Sequence, residues 1–508
     1  MTPRLVVAAL VSSLSLFGLV GCGPSTSPTR DCGSGPTNLD EDVNNCGQCG
    51  NACGTGMQCK AGACTTGICD VGEVEECYDG QADTDGVGPC TKGTHTCQAG
   101  GFWSTCEGQV IPVAESCGDS VDNNCNGRTD ETEDMDGDGY TTCAGNDCCD
   151  STECTKPGLV NPGAFDAAGN MLDDDCNGAI DDSLSLCDQA LASNSVDGMD
   201  FAKAIDICKT ATETDNAWGV ISAQLTLPDG TGTPDPVSHS IRPKFGTNVQ
   251  PQGGLALALL STGAAAGRGD VNPNYATFSS TETAKTSNFP MDFYMANGNA
   301  LPNAPGCPAP DSSEPANDPV MLTMRIRVPS NAKSFKLSSN FFSAEFPEWT
   351  CSEFNDFFVV LLDSTYADMP ANPTDKNLAF YTPMGTQDRV PVGVNLAYGN
   401  TGLFTQCVNG ETGCSSFGGQ MGNISTCVST DQLIGTGFDE DASGSCDPGS
   451  LMGGGTGWLE TRGNVVPGEI ITIRIAIWDT SDHRLDSLAV IDGFQWSVDV
   501  AQPGTVIF

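Results

Sequence analysis

The cysteines constrain this chain most. Of 27, one stands at position 22, twenty lie between Cys32 and Cys208, and six between Cys307 and Cys446. Both later groups are even in number, so each region can pair within itself, although spacing alone leaves the connectivity open. Only His95, His239 and His483 accompany them, too few histidines for a zinc or haem reading of so many sulfurs. Such a chain belongs in an oxidising compartment, where disulfides persist. Acidic residues number 65 against 21 basic ones, a formal net charge of −44. That field repels phosphate backbones, which excludes nucleic acid as a partner, and it attracts cations. With 61 glycines and 30 prolines the composition favours loops and strands over long helices. Apolar residues, at 38%, still suffice for a core.

Arg4 precedes an apolar run from Leu5 to Val20. The run has the form of a signal peptide and is short for a permanent span. It ends Leu19-Val20-Gly21-Cys22, which resembles a bacterial lipobox. The resemblance implies cleavage before Cys22 and lipidation of that residue. Because Gly23 follows rather than Asp, it further implies the outer membrane and cell surface of a Gram-negative bacterium. The expected organisation is a signal peptide over 1–22, a flexible tether over 23–30 and a cysteine-rich module over 31–66. A disulfide-stapled hairpin module (67–113), acidic metal-binding repeats (114–183) and a β-sandwich (184–508) follow. In the third segment, Asn45-Cys46-Gly47-Gln48-Cys49-Gly50-Asn51-Ala52-Cys53 resembles the stigma-specific cysteine-rich family.

From Glu115 to Asp182, eighteen acidic residues face only Arg128 and Lys156, a density that repels itself unless neutralised. Asp122, Asn124, Asn126 and Glu133 fit ligand positions 1, 3, 5 and 12 of a Ca²⁺ loop, with Gly127 at the sharp turn. Hard oxygens on alternate residues can replace the hydration shell of the ion. A second loop starts Asp134, Asp136, Asp138. Gly145 occupies its closing position, so Asp147 or Asp150 must close it. A third carries Asp173, Asp175 and Asn177, with Asp181 or Asp182 left to close. No amphipathic helix flanks these loops, which argues against a helix–loop–helix pair. The better alignment sets Asp122-x3-Asn126-Gly127-x2-Asp130 against Asp173-x3-Asn177-Gly178-x2-Asp181. So aligned, the segment resembles the metal-binding-motif repeat of Gram-negative surface proteins. The Asp134–Tyr140 loop resembles thrombospondin type-3 calcium repeats. Oxygen ligands argue for Ca²⁺ as the cofactor, since copper favours His, Met or free thiolate; copper is the alternative, because one relative of the repeat family is associated with it. A solvated acidic linker with Asp-Gly turns is the plain alternative.

After Asp182 the pattern changes. Val320, Leu322, Met324, Ile326 and Val328 alternate with Met321, Thr323, Arg325 and Arg327, and Ile471, Ile473, Ile475 and Ile477 alternate with Thr472, Arg474 and Ala476. Period two with one polar face predicts half-buried antiparallel strands. Further strands are expected over 334–346, 354–363 and 485–500, and helices over 201–211 and 255–266. The fold class expected is mainly β: a C-terminal jelly-roll-like β-sandwich behind small disulfide-rich modules and Ca²⁺-binding loops. Trp218 to Ala223, Leu260 to Gly263, Ser343 to Glu348 with Ser352 to Asp356, and Trp478 to Thr480 with Ile491 to Phe494 resemble the choice-of-anchor L family of bacterial surface domains. That family brings no reaction with it.

Glu345, Glu348, Glu353, Asp356, Asp479, Asp482, Asp486 and Asp492 gather at expected strand ends. They suit a Ca²⁺ site between sheets, a carboxylate pair for glycoside hydrolysis, or edge-protecting acids. No G-x-S-x-G, H-E-x-x-H or P-loop occurs, and His483 beside Asp482 reads as a surface turn. The sequence thus points to a non-catalytic, Ca²⁺-stabilised surface lipoprotein acting in adhesion or glycan binding. Its expected partners are divalent cations, the membrane through the lipid, and glycans or surface proteins. A carboxylate-dependent hydrolase and a copper-scavenging protein are the alternatives.

Overall fold

A computed structural model describes residues 29–507 apart from 33–35, 55–56, 61, 66–68, 70, 100, 114, 131, 151–153, 183–185, 279–282, 400, 415–419 and 441–451. The expected signal peptide, the lipobox with Cys22, and Cys446 lie outside the described residues. The chain forms two compact units, one up to Asp130 and one from Glu131 onward. Strand exceeds helix, 28% to 6%, so the mainly-β expectation holds.

The first unit is built from short hairpins. Thr29–Asp31 pairs with Pro36–Asn38, Gln58–Lys60 with Ala63–Thr65, and Val74–Cys77, Gly93–Gln98 and Phe102–Trp103 form a three-stranded sheet. Its buried apolar residues, among those described, are Leu39 and the half-cystines Cys46, Cys59, Cys90, Cys97 and Cys125. Cross-links take the place of a core. Cys32–Cys49, Cys46–Cys59 and Cys53–Cys64 close the first stretch, Cys69–Cys97 and Cys77–Cys106 staple the three-stranded sheet, and Cys90–Cys125 ties in the acidic segment.

In the second unit two antiparallel sheets enclose one core. The six-stranded sheet runs Gly504–Ile507, Gly454–Asn464, Ser334–Ser343, Ser487–Ser497, Leu257–Ser261, His239–Arg242. The other runs Thr286–Ser287, Ala316–Arg327, Ile470–Asp479, Phe357–Asp363, with Gly219–Thr226 also pairing to Ala316–Arg327. The two alternating segments read from the sequence are neighbours in register: Val320 faces Ile477, Leu322 faces Ile475, Met324 faces Ile473 and Ile326 faces Ile471. All eight side chains are fully buried between the sheets, each contributing about 1.5–3 kcal/mol of burial.

Two expectations need correction. The 255–266 segment is not a helix; Leu257–Ser261 is an inner strand of the six-stranded sheet. Ala258 and Leu260 face the inter-sheet core, while Leu257 and Leu259 face a second cluster with Phe245, Phe342 and Phe438. A strand buried on both faces loses its alternation, and a continuous apolar run then mimics a buried helix. The helix expected over 201–211 spans Gly198–Ala204 instead. Asp197 caps it by accepting from the Met199 N–H, and Asp206 already has φ 74°.

Of the links that cross from one sheet to the other, two position the strand-end acids. Residues 344–356 join Ser334–Ser343 to Phe357–Asp363, and residues 480–486 join Ile470–Asp479 to Ser487–Ser497. Ser343 is in register with Ser487, and Phe357 with Trp478. Both crossings therefore lie at the same end of the sandwich; Glu345, Glu348, Glu353, Asp356, Asp482 and Asp486 ride on them, and Asp479 ends the strand before the second.

Candidate metal centres

The two aligned copies of the acidic repeat have the same backbone and the same hydrogen bonds. Asp122 accepts from the N–H groups of Asn126 (3.1 Å) and Gly127 (2.9 Å); Asp173 accepts from those of Asn177 (3.0 Å) and Gly178 (2.9 Å). Asp130 accepts from Gly118 and Ser120, and Asp181 from Gly169 and Asn170. Cys125 and Cys176 share φ 57°, and Gly127 and Gly178 sit at φ 88° and 90°, a region glycine enters without strain. Asn124 and Asn126 accept from Asn126 and Arg128 N–H groups, and Asn177 from that of Ala179. These side chains close their own loops as Asx turns. Asp182 accepts from the Asn177 amide at 2.6 Å, and Asp175 pairs with Lys209 at 2.7 Å. Glu133 is exposed. None of these residues falls within a multi-carboxylate group among the described residues.

The intervening loop does gather carboxylates. Asp134 accepts from Gly137 and Gly139, Asp136 from Asp138, and Asp138 from Tyr140, so successive turns wind the chain about its own acids. Asp150 returns to accept from Met135 N–H at 2.6 Å. Ligand atoms of Asp134, Asp136 and Asp150 lie within 4.8 Å of one another, as do those of Asp136, Asp138 and Asp147. Both residues named from sequence as possible closers thus reach the loop, and Asp136 belongs to both groups. Asp147 is 2% exposed, and one oxygen each of Asp136 and Asp147 is buried without a partner. Burial, reinforced by Asp138, Asp136 and Asp150, pushes the Asp147 carboxyl up to about 7.

A third group sits at the sheet crossings. Glu345, Asp356 and Asp479 are each no more than 1% exposed, with ligand atoms within 4.8 Å of one another. The Asp356 N–H approaches Glu345 Oε2 at 3.5 Å, and no donor in bonding geometry reaches either carboxylate oxygen of Asp356 or Asp479. Burial first, then mutual repulsion, raises Glu345 and Asp479 well above the usual carboxylate range. Burial pushes Asp356 to about 7, opposed by the nearby Ser487 hydroxyl.

Residues 259–494 match the Choice-of-anchor L domain. The match implies surface association. Residues 112–131 and 158–182 match the family described as "Putative metal-binding motif". No curated protein and no solved structure matches the chain, and no helix among the described residues is long and apolar enough to cross a membrane.

All three acids at the crossings lie inside the choice-of-anchor L segment, whereas the Asp134–Asp150 loop falls between the two metal-binding-motif copies. The second copy is fastened to the sandwich. Phe165 exchanges two hydrogen bonds with the Asn331 side chain, Ser330 donates to Asn161, and the Trp218 indole donates to Ala164 O. Of the other choice-of-anchor L acids read from sequence, Glu348 and Asp486 are buried, and Glu353 is exposed. Asp492 lies elsewhere, accepting from Gln252 and Gly253 N–H groups and raised to about 7 by burial and by Asp206. Asp206 and Asp188, missed in the sequence, complete that second acid group; Asp206 sits just past a helix end, where no spacing signals it. His483 is not a simple surface turn. Its Nδ1 lies 2.7 Å from Oδ2 of the buried Asp318, which also accepts from Thr283. The even cysteine counts allow each region to pair within itself and leave few or no free thiols. Cys149 instead keeps a buried thiol, in contact with Cys154.

Proposed function

We propose that this protein is a non-catalytic, Ca²⁺-stabilised surface protein, lipid-anchored at Cys22, that acts in adhesion by binding glycans or other surface proteins. The observation that carries the reading is the loop in which Asp134, Asp136, Asp138, Asp147 and Asp150 converge. Its donors are all hard oxygens, which supports Ca²⁺ over copper, an ion that favours imidazole and sulfur. The flanking metal-binding-motif copies and the choice-of-anchor L match support metal binding at a surface. A groove of about 340 Å³ lined by Phe165, Trp218, Phe494 and Trp496 together with Asp166 and Asp206 offers ring faces and carboxylates, the chemistry that receives sugars.

Ca²⁺ is expected to raise the melting temperature of the full chain. An ion that binds only the folded state adds about 2.7 kcal/mol at a hundredfold excess over Kd. Mg²⁺, which holds its waters and requires a compact octahedron, should add less. Asp136→Asn touches both carboxylate groups of the loop, so it should abolish most of this loop's contribution and reduce Ca²⁺-dependent retention on glycan-coated surfaces. Calorimetry and retention unchanged by Asp136→Asn would remove the reading. Lipid attachment has its own test: Cys22→Ser should move the protein from the membrane to the soluble fraction, and unaltered fractionation would discard the anchor.

A further inference from the structure

The acids at the sheet crossings are separate from the Asp134–Asp150 loop. The alternation of the paired strands decides where they point. Phe357 and Trp478 are register partners, and their rings stack with centroids 5.5 Å apart on the outer face of the five-stranded sheet, beside Phe293. Phe358 and Ile477, one residue inward, face the inter-sheet core. Asp356 and Asp479, one residue outward from the stacked pair, return to the core side, since successive side chains alternate. Glu345 meets them from the link that leaves the six-stranded sheet. The group therefore closes the mouth of the core, with Glu345 near the start of the 344–356 link, Asp356 at its end and Asp479 at the end of Ile470–Asp479.

Three carboxylates so fully removed from water need a counter-charge or must surrender their own charge. Among the described residues no donor in bonding geometry reaches the oxygens of Asp356 or Asp479; only the Ser487 hydroxyl lies near Asp356, and one neutral hydroxyl does not balance three carboxylates. We propose that Glu345, Asp356 and Asp479 hold one Ca²⁺ that ties the two sheets together at this end of the sandwich. The donors are oxygen alone, which suits a hard cation and not zinc or copper. Ca²⁺ fits better than Mg²⁺ because a site at most 1% exposed cannot leave the ion the several waters Mg²⁺ retains. The same burial removes the glycosidase alternative for these residues: a saccharide cannot reach carboxylates sealed inside the sandwich.

The full chain, loaded with Ca²⁺ and dialysed, gives the test by counting bound Ca²⁺ per chain. Asp356→Asn and Asp479→Asn should each retain one ion fewer than the parent, while Asp136→Asn should keep this ion and lose that of the loop. Parental counts in both Asp356→Asn and Asp479→Asn would overturn the proposal. Loss of Ca²⁺ from the loop variant alone would overturn it while sparing the proposed function, and the reverse pattern would do the opposite. If the carboxamide variants fail to fold, Tb³⁺ luminescence sensitised by tryptophan replaces them. Trp478 adjoins Asp479, so Trp478→Phe should lose most of the Ca²⁺-displaceable emission, and unchanged emission would overturn the site.

Discussion

Reducing agent is expected to unfold the chain up to Asp130 while the sandwich stays folded. In that first unit Leu39 is the only buried apolar residue outside the half-cystines, among the residues described. The six disulfides named above, with a further one at Cys117, supply what a core would otherwise provide. Removing a native disulfide from a small secreted domain typically costs about 2–5 kcal/mol, and losing six far exceeds the stability of any unit this size. The second unit also carries disulfides, including Cys187–Cys208, Cys307–Cys351 and Cys407–Cys427. Its two sheets, however, bury a continuous apolar core with or without them. Hydrogen exchange in reductant should therefore show lost protection across Val74–Cys77 and Gly93–Gln98 and retained protection in Ala316–Arg327 and Ile470–Asp479. Equal loss in both units would mean that the sandwich also depends on its cross-links.

Trp478→Ala should cost the second unit about 3–5 kcal/mol, the range for deleting a fully buried large aromatic. Trp478 is 0% exposed, stacks on Phe357 and meets Phe293 edge-on at 6.4 Å. The short helix Met291–Ala296 that carries Phe293 covers this face. Removing the indole leaves a cavity under that cover, next to a residue whose carboxylate points the opposite way. Chemical denaturation of the variant should show a lower midpoint with little change in slope. A loss under about 1 kcal/mol would place the site among those that collapse freely.

What was legible in the sequence follows from how many faces of each strand meet water. Ala316–Arg327 and Ile470–Asp479 keep polar residues such as Thr323 and Arg474 on one face, so their alternation is plain, whereas their mutual register is a long-range fact that only the structure supplies. Leu257–Ser261 is buried on both faces, so its continuous apolar run has the look of a helix. At the metal sites, Gly145 at the closing position forced attention to Asp147 and Asp150, and both reach the loop. The Asp-x3-Asn-Gly spacing was ambiguous for a physical reason: the carboxylate that can hold an ion also caps the N–H groups four and five residues on, as Asp122 and Asp173 do. The strand-end acids were visible as a set. Which three would meet depended on pairing Phe357 with Trp478, a long-range fact with no local signal.

The strand order has a consequence in time. Ile470–Asp479 lies between Ala316–Arg327 and Phe357–Asp363, and Ser487–Ser497 lies between Ser334–Ser343 and Leu257–Ser261. Each of these two inner segments follows in the chain both of the strands it lies between. A chain made from its N-terminal side can complete its hairpins and cross-links early, but one edge each of Ala316–Arg327, Phe357–Asp363, Ser334–Ser343 and Leu257–Ser261 waits for these two inner segments. Pairings of such large sequence separation are slow to form and leave edges open to wrong partners meanwhile. Closing the sandwich therefore waits on pairings that span long stretches of chain, made by the two strands at the middle of its sheets.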